Sequence, residues 1–158
     1  MGGNVLAPGN VSPFAEANIH SDPHAAALMF GAGWRVSMAG LDVTQATQMD
    51  DAYFAALAAS GDPFGKFVAR IVPFYQAFHR EWYGYEGGAI DTHDPSAIAY
   101  VIDPTLFKGE DYGIVVPVDG PAAGMTIADR RGKFYDTPKV NCLMQVDNAR
   151  LLEMYRRR

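Results

Sequence analysis

The pattern of apolar and polar positions predicts a chain in which helices and strands alternate. Asp-Pro pairs at 22–23, 62–63 and 94–95 each precede a stretch with helical spacing. Aspartate is a favoured N-cap, and proline suits the first helical position because its φ is already fixed. We therefore expect a helix after each pair. The longest covers residues 64–83, and Pro73 should kink it.

Short segments rich in β-branched residues and bounded by glycine or proline are the predicted strands. They cover residues 34–39, 113–118, 125–128 and 140–146, and a last helix is predicted over 151–158. Alternation of helices and strands is typical of a mostly parallel sheet flanked by helices, which places the chain in the α/β class. Residues 112–129 instead resemble a small hairpin or meander added at one edge.

The first 21 residues contain no predicted helix or strand. A long loop at the start of a compact domain is unusual. It would be explained if the loop followed a strand that this chain does not contain.

Composition narrows the class of protein. The 158 residues suit a single domain, and the net charge of −5 argues against nucleic-acid or membrane binding. No apolar run approaches the length of a membrane span. The lone cysteine, Cys142, lies in an alternating apolar run, so we expect a buried, unreactive thiol. Without a recognisable signal peptide, the predicted location is cytoplasmic.

Three polar residues near the N-terminus are candidate ligand contacts. Asn10, Glu16 and Asn18 offer one carboxylate and two amides within nine residues. Sugar hydroxyls need both donors and acceptors, which these groups supply. The alternative is that the Asn side chains only cap local turns.

The segment Asp91-Thr92-His93-Asp94 is the second candidate site. Carboxylates are natural ligands of Ca²⁺ or Mg²⁺, and a histidine can give up a proton near neutral pH. The alternative is structural, because Asp94 is also well placed to be the N-cap of the following helix.

Aromatic residues lie just upstream of that segment. Tyr83 and Tyr85 are interleaved with glycines, and such a loop could stack on a planar heterocycle. They could equally be the buried end of the long helix. His20, His24 and His79 show no metal-ligand spacing, so surface or capping roles are expected for them.

Several motifs in the same order resemble the C-terminal half of the nucleoside hydrolase family, of the inosine–uridine-preferring type. They are "MGGN", "GNVSPFAEANIHSDPHAA", "VSMAGLDVT", "THDPSAIAYVIDPTLF", "GMTIAD" and "VNCLMQVD". The resemblance implies a nucleoside hydrolase fold and calcium-assisted hydrolysis of the N-glycosidic bond of ribonucleosides. It also implies a role in purine and pyrimidine salvage and a homo-oligomer, either a dimer or a tetramer, acting on a small-molecule substrate.

The resemblance also implies roles for individual residues. Contacts to the ribose are implied for Met1, Asn10, Glu16 and Asn18. His93 matches the acid that protonates the leaving base, and Asp94 matches a calcium ligand. Tyr83 and Tyr85 lie in the loop that closes over the nucleobase in the family.

One family motif is missing from this sequence. Members carry an Asp-rich D-x-D-x-x-x-D-D motif in the N-terminal half, which supplies further metal ligands and the base that activates water. Residues 1–158 contain no such motif; the nearest doublet is Asp50-Asp51. We therefore expect a single domain that corresponds to the C-terminal half, lacks the N-terminal half and is inactive alone. A non-catalytic module with a binding or assembly role is the alternative.

Overall fold

The structure is a computed structural model that describes residues 1–157. The helices are α1 (Ala17–Ser21), α2 (Pro23–Gly31), α3 (Leu41–Thr44), α4 (Asp51–Ala59), α5 (Pro63–Tyr83), α6 (His93–Ile102) and α7 (Asn148–Arg156). The strands are β1 (Val36–Met38), β2 (Gln48–Met49), β3 (Ile90–Asp91), β4 (Phe107–Val115), β5 (Ile127–Asp129) and β6 (Lys139–Val146), with a 3-10 turn at Pro104–Leu106.

The chain separates into two compact units. Unit 1 comprises Met1–Ala46 and His93–Asp147, and unit 2 comprises Thr47–Thr92 and the segment from Asn148 onward. Each unit has its own core and its own candidate site residues, and each is described separately below. Within residues 1–157, no helix is long and apolar enough to cross a membrane.

Unit 1 is built on a four-stranded sheet with the strand order β1-β6-β4-β5. β1 and β6 are parallel, whereas β4 is antiparallel to both β6 and β5. The α/β class is confirmed, and the β4–β5 pair is the expected edge hairpin. The sheet that these four strands form is therefore mixed, with one parallel pair and two antiparallel pairs.

The core of unit 1 fills one face of this sheet. Its buried members come mainly from α1, α2 and the strands β1, β4 and β6, among them Ile19, Phe30, Ile114, Val140 and Cys142. Cys142 is completely buried, as predicted, and burial raises the pKa of its thiol to about 12. At neutral pH this thiol is protonated and inaccessible.

Unit 2 contains the long helix α5 and its partner α4. The two pack around Tyr53, Phe54 and Val72 together with Ile90 of β3. α5 continues through Pro73 and ends at Gly84, whose φ of 69° places it in the left-handed region. Glycine adopts this conformation without steric cost, which makes it a common helix terminator.

The Asp-Pro pairs behave differently from one another. Asp22 and Asp62 cap α2 and α5 as predicted, each accepting a hydrogen bond from a backbone N–H of the first turn. Asp94, however, is not an N-cap, because α6 already begins at His93. Pro95 then occupies the first turn, where the missing N–H breaks no intrahelical hydrogen bond. The capping interpretation of Asp94 was therefore wrong.

Three helices, α1, α3 and α4, were not predicted, and α3 has only four residues. α1 follows the N-terminal loop directly and has only five residues, too few to show a period. α4 is capped by Asp50, which accepts a hydrogen bond from the Tyr53 N–H. Its sequence DAYFAALAA is apolar on nearly every side, so it offers no amphipathic pattern to detect.

Candidate functional site

Glu16 organises the N-terminal loop of unit 1. Its side chain is 2% exposed and accepts hydrogen bonds from the backbone N–H groups of Gly3 at 2.9 Å, Asn18 at 2.9 Å and Ile19 at 3.2 Å. It is thus the N-cap of α1 and also ties the start of the chain to that helix. The carboxylate predicted to bind a sugar is therefore also a helix N-cap, a role that was not predicted for it.

The other three predicted ribose contacts lie in the same loop. The Asn18 side-chain amide donates to the carbonyl oxygen and to the Sδ atom of Met1, both at 3.3 Å. Asn10 accepts from the Ala17 N–H at 2.9 Å. The loop therefore gathers the four side chains, through hydrogen bonds, around the start of α1.

Asp42 of α3 holds the same loop from its other side. Its two carboxylate oxygens accept from the backbone N–H groups of Val5 at 2.7 Å, Leu6 at 2.7 Å and Ala7 at 3.0 Å. Sequence reasoning missed this residue. The only signal was its place in the "LDVT" motif, and nothing local shows that a carboxylate will bind backbone 35 residues away.

Asn4 braces the loop internally. Its amide group donates to the carbonyl of Ala7 at 2.7 Å and of Phe14 at 3.3 Å, and its backbone N–H donates to Thr126 Oγ1 at 2.8 Å. Among residues 1–157, its buried Oδ1 atom has no hydrogen-bond partner. Buried acceptors without a partner are uncommon in folded proteins.

α3 also holds His93. Thr44, the last residue of α3, is completely buried, and its Oγ1 lies 2.9 Å from His93 Nδ1. His93 is half-buried at the start of α6, and the next residue, Asp94, is exposed in the first helical turn. A four-residue helix thus anchors the N-terminal loop through Asp42 and the candidate acid through Thr44.

Unit 2 contains the two predicted base contacts. The Tyr85 hydroxyl donates to Asp91 Oδ2 at 3.2 Å, and Gln48 donates to Asp91 Oδ1 at 3.1 Å. The rings of Tyr83 and Tyr85 lie 5.4 Å apart. Burial first, and then the negative charge of Asp91, raise the pKa of Tyr85 to about 12.

His79 lies at the centre of this aromatic group. It is completely buried, and its ring lies 5.3 Å from Tyr83 and 5.8 Å from Tyr85. Its Nδ1 is 3.2 Å from the Tyr75 carbonyl oxygen, and its Nε2 accepts the Asp91 N–H at 3.4 Å. These contacts suit the neutral tautomer with a proton on Nδ1. The prediction of a surface or capping role for His79 was wrong.

The fold and these polar groups define an α/β protein suited to a small polar ligand. The profile of the family described as inosine-uridine preferring nucleoside hydrolase matches residues 1–153. The chain belongs to this family, and the resemblance found in the sequence is confirmed.

The similar proteins include bacterial enzymes known from sequence. The chain is 34% identical to the pyrimidine-specific ribonucleoside hydrolase RihA of Shewanella woodyi, over 96% of this chain and 49% of that protein. It is 32% identical to RihA of Klebsiella pneumoniae, over 99% of this chain and 50% of that protein. The chain therefore spans about half the length of the curated relatives that it matches.

Solved structures agree with this assignment. A plant nucleoside hydrolase, PpNRh1, superposes with a TM-score of 0.92 at 30% identity, covering 98% of this chain and 50% of that one. The purine-preferring ribonucleoside hydrolase of Gardnerella vaginalis superposes with a TM-score of 0.88 at 33% identity, covering 99% and 49%. The relatives differ in the base that they are named for, so they do not assign one to this chain.

Proposed function

We propose that this chain supplies the ribose-binding groups and the leaving-group acid of a ribonucleoside hydrolase, and that it corresponds to the C-terminal half of the family domain. The observation that carries the proposal is the double role of α3. Asp42 fixes the loop that bears Met1, Asn10, Glu16 and Asn18, and Thr44 fixes His93.

The ribose is bound by the N-terminal loop in this proposal. Glu16 uses both oxygens for backbone N–H groups, but a carboxylate has about four lone-pair positions and can still accept from a hydroxyl. Asn18 and Asn10 add amide donors and acceptors beside it. Groups held this firmly lower the entropic cost of placing the sugar for reaction.

Protonation of the leaving base is the role of His93. As the N-glycosidic bond breaks, positive charge grows on the ribose and negative charge on the departing base. A proton from His93 neutralises the base, while water adds to the anomeric carbon and passes a proton to the general base that the Asp-rich half of the family domain would supply. Thr44 at Nδ1 orients the ring, so that Nε2 is the atom we assign to the proton transfer.

The base is contacted by Tyr83 and Tyr85. Their neighbouring rings form a surface on which a planar heterocycle can stack. Because every nucleobase has such a planar face, this contact is compatible with both purine and pyrimidine substrates.

Asp94 is a calcium ligand in this proposal. An exposed carboxylate in the first turn of α6 is a suitable oxygen ligand, but calcium takes six to eight oxygens. The other ligands would come from the half of the family domain that carries the Asp-rich motif. When bound, calcium would lower the pKa of a water molecule.

The test of the acid role uses this chain assembled with the N-terminal half of a relative such as the Shewanella woodyi enzyme. We expect His93→Gln to slow base release from uridine and inosine by about 10²–10⁴-fold. The same variant should retain hydrolysis of p-nitrophenyl riboside, whose leaving group needs no proton. Ile98→Gln, an exposed substitution on the same helix, is the matched control. Equal losses on both kinds of substrate would contradict the assignment.

A further inference from the structure

An open cavity of about 640 Å³ lies at the edge of the unit 1 sheet. It is formed by β4, by the edge strand β5 and by the loop that follows β5. Volumes of roughly 300–1,000 Å³ are typical of small-molecule sites. The polar and aromatic side chains of its lining include those of Glu110, Tyr112, Arg130, Arg131, Phe134 and Tyr135.

The loop after β5 is braced by Asp129, the last residue of that strand. The buried carboxylate accepts hydrogen bonds from four backbone N–H groups, those of Arg131 at 3.2 Å, Gly132 at 2.9 Å, Phe134 at 2.7 Å and Tyr135 at 3.2 Å. Gly132 has a φ of 62°, which lets the loop turn sharply without steric cost. Because the main chain is already held, a ligand that contacts these side chains would order little of the loop.

The cavity wall carries positive charge on an otherwise acidic chain. The whole chain has a net charge of −5, but residues 130–139 contain four cations and one carboxylate. Two of these cations, Arg130 and Arg131, line the cavity, and no carboxylate within residues 1–157 forms an ion pair with either of them. Guanidinium groups bind phosphate oxygens through paired hydrogen bonds. The wall is therefore suited to a phosphate group.

Two carboxylates also line the cavity, and both are hydrogen-bonded within the protein. The backbone N–H groups, that of Phe134 foremost, lower the pKa of Asp129 and offset its negative charge. Glu110 accepts a hydrogen bond from the Tyr112 hydroxyl through Oε2. Its other oxygen, Oε1, can accept from a hydroxyl group of a ligand, such as that of a sugar.

Two aromatic side chains of the loop are exposed beside the arginines. Phe134 is 68% exposed and Tyr135 is 42% exposed. Rings on a braced loop can stack on a planar heterocycle without rearrangement of the main chain. Cations for a phosphate, an acceptor for a hydroxyl group and rings for a heterocycle are thus present in one cavity. These three parts together make up a nucleotide.

We propose that this cavity binds a nucleoside 5′-monophosphate. The phosphate group contacts Arg130 and Arg131, the sugar hydroxyls contact Glu110, and the base lies against Phe134 and Tyr135. A phosphate monoester carries a charge of about −1.5 to −2 at pH 7, which suits two guanidinium groups. The proposal concerns binding only. It does not depend on the proposed hydrolase function, because none of its residues takes part in that function.

Isothermal titration calorimetry of the full chain with uridine 5′-monophosphate (UMP) is the first test. We expect UMP to bind at least about tenfold more tightly than uridine or ribose 5-phosphate, because each of these lacks one of the two main contacts. The affinity for UMP should fall as salt is added, since exposed charges are screened. No binding of UMP at millimolar concentration, or equal affinities for UMP and either fragment, would overturn the proposal.

Substitutions in the loop test the location of the site. The double variant Arg130→Gln/Arg131→Gln should weaken UMP binding about tenfold or more, and Phe134→Ala should weaken it about threefold or more. All three side chains are exposed, and the hydrogen bonds to Asp129 come from the main chain. The variants should therefore fold like wild type, which thermal unfolding checks.

Two controls distinguish this site from other places on the chain. The double variant Arg35→Gln/Lys108→Gln removes two charges from exposed positions of unit 1 outside the cavity and should leave UMP binding unchanged. Asn18→Ala alters the proposed ribose contacts and should also leave it unchanged. Equal losses of affinity in the two double variants would show a general charge effect and overturn the proposal. Loss of UMP binding in Asn18→Ala would assign the nucleotide to the proposed ribose contacts and overturn it as well.

Discussion

Two buried carboxylates, Glu16 in unit 1 and Asp91 in unit 2, are held in opposite ways. Glu16 accepts hydrogen bonds from three backbone N–H groups, so the course of the main chain fixes it. Asp91 is held by the side chains of Gln48 and Tyr85, with His79 Nε2 4.0 Å from its Oδ2. Backbone donors stay in place as long as the fold persists, whereas side-chain donors can rotate or change protonation state. We infer that the proposed ribose contacts are rigid and the proposed base contacts adaptable.

The largest effect is expected from removing Glu16. Glu16→Ala leaves backbone N–H groups in a buried region without their acceptor and removes the N-cap of α1, so the free energy of unfolding should fall by about 3 kcal/mol. Urea denaturation measures this. Glu153→Ala, which breaks only an exposed ion pair with Arg157, should change it by less than about 0.5 kcal/mol. Equal losses of stability in Glu16→Ala and Glu153→Ala would contradict the inference that backbone hydrogen bonds hold Glu16 firmly.

A smaller effect is expected at the second backbone anchor. Asp42→Asn keeps one acceptor oxygen for the N–H groups of Leu6 and Ala7 but loses the charge and the acceptor for Val5. The free energy that opposes local opening of the loop should fall by about 1.4 kcal/mol. Hydrogen exchange at the Val5 amide should therefore become about ten times faster. Uniform exchange rates across the loop before and after the change would show that Asp42 does not anchor it.

A still smaller change in stability is expected at the side-chain anchor. Tyr85→Phe keeps the ring and removes one hydrogen bond to Asp91, at a cost of about 0.5–1 kcal/mol. If Asp91 is held as adaptably as we infer, Gln48 compensates and unit 2 remains folded. Urea denaturation that shows a loss as large as that of Glu16→Ala would contradict the inference.

The pH dependence of stability is a further difference between unit 1 and unit 2. The pKa of Tyr85 is raised to about 12 from 10.0, so this residue stabilises the folded state fully below pH 10. That contribution is lost as the pH rises through 12, because the unfolded chain gives up the proton first. Asp91→Asn should lower the pKa of Tyr85 towards 10, as seen in the tyrosinate absorbance. Tyr112→Phe is the control. It removes a tyrosine of unit 1 whose pKa is raised by a hydrogen bond with Glu110, and it should leave the pKa of Tyr85 unchanged.

The sequence predicted the features that depend on neighbouring residues. Asp22 and Asp62 cap helices because their side chains reach N–H groups two or three residues away. Strands β1, β5 and β6, the end of β4, the edge hairpin and the buried Cys142 likewise follow from local patterns, whereas the two-residue strands β2 and β3 were not predicted. The motifs that resemble the family supplied the candidate site residues.

Features that depend on distant parts of the chain were missed. Asp42 acts on backbone 35 to 37 residues away, and no local signal marks such a contact. His79 was misjudged because its role was inferred only from the absence of metal-ligand spacing. The structure buries it completely, whereas the large apolar residues Phe67, Ile71 and Phe74 of the same helix are exposed. Periodicity alone cannot indicate which side of such a helix faces inward.

The most direct test of the central claim is the release of free base from uridine and inosine in the presence of calcium. We expect no release by this chain alone, and release once the N-terminal half of a relative has been assembled with it. Hydrolysis by the chain alone would contradict the claim, as would a stably assembled pair that binds calcium and releases no base.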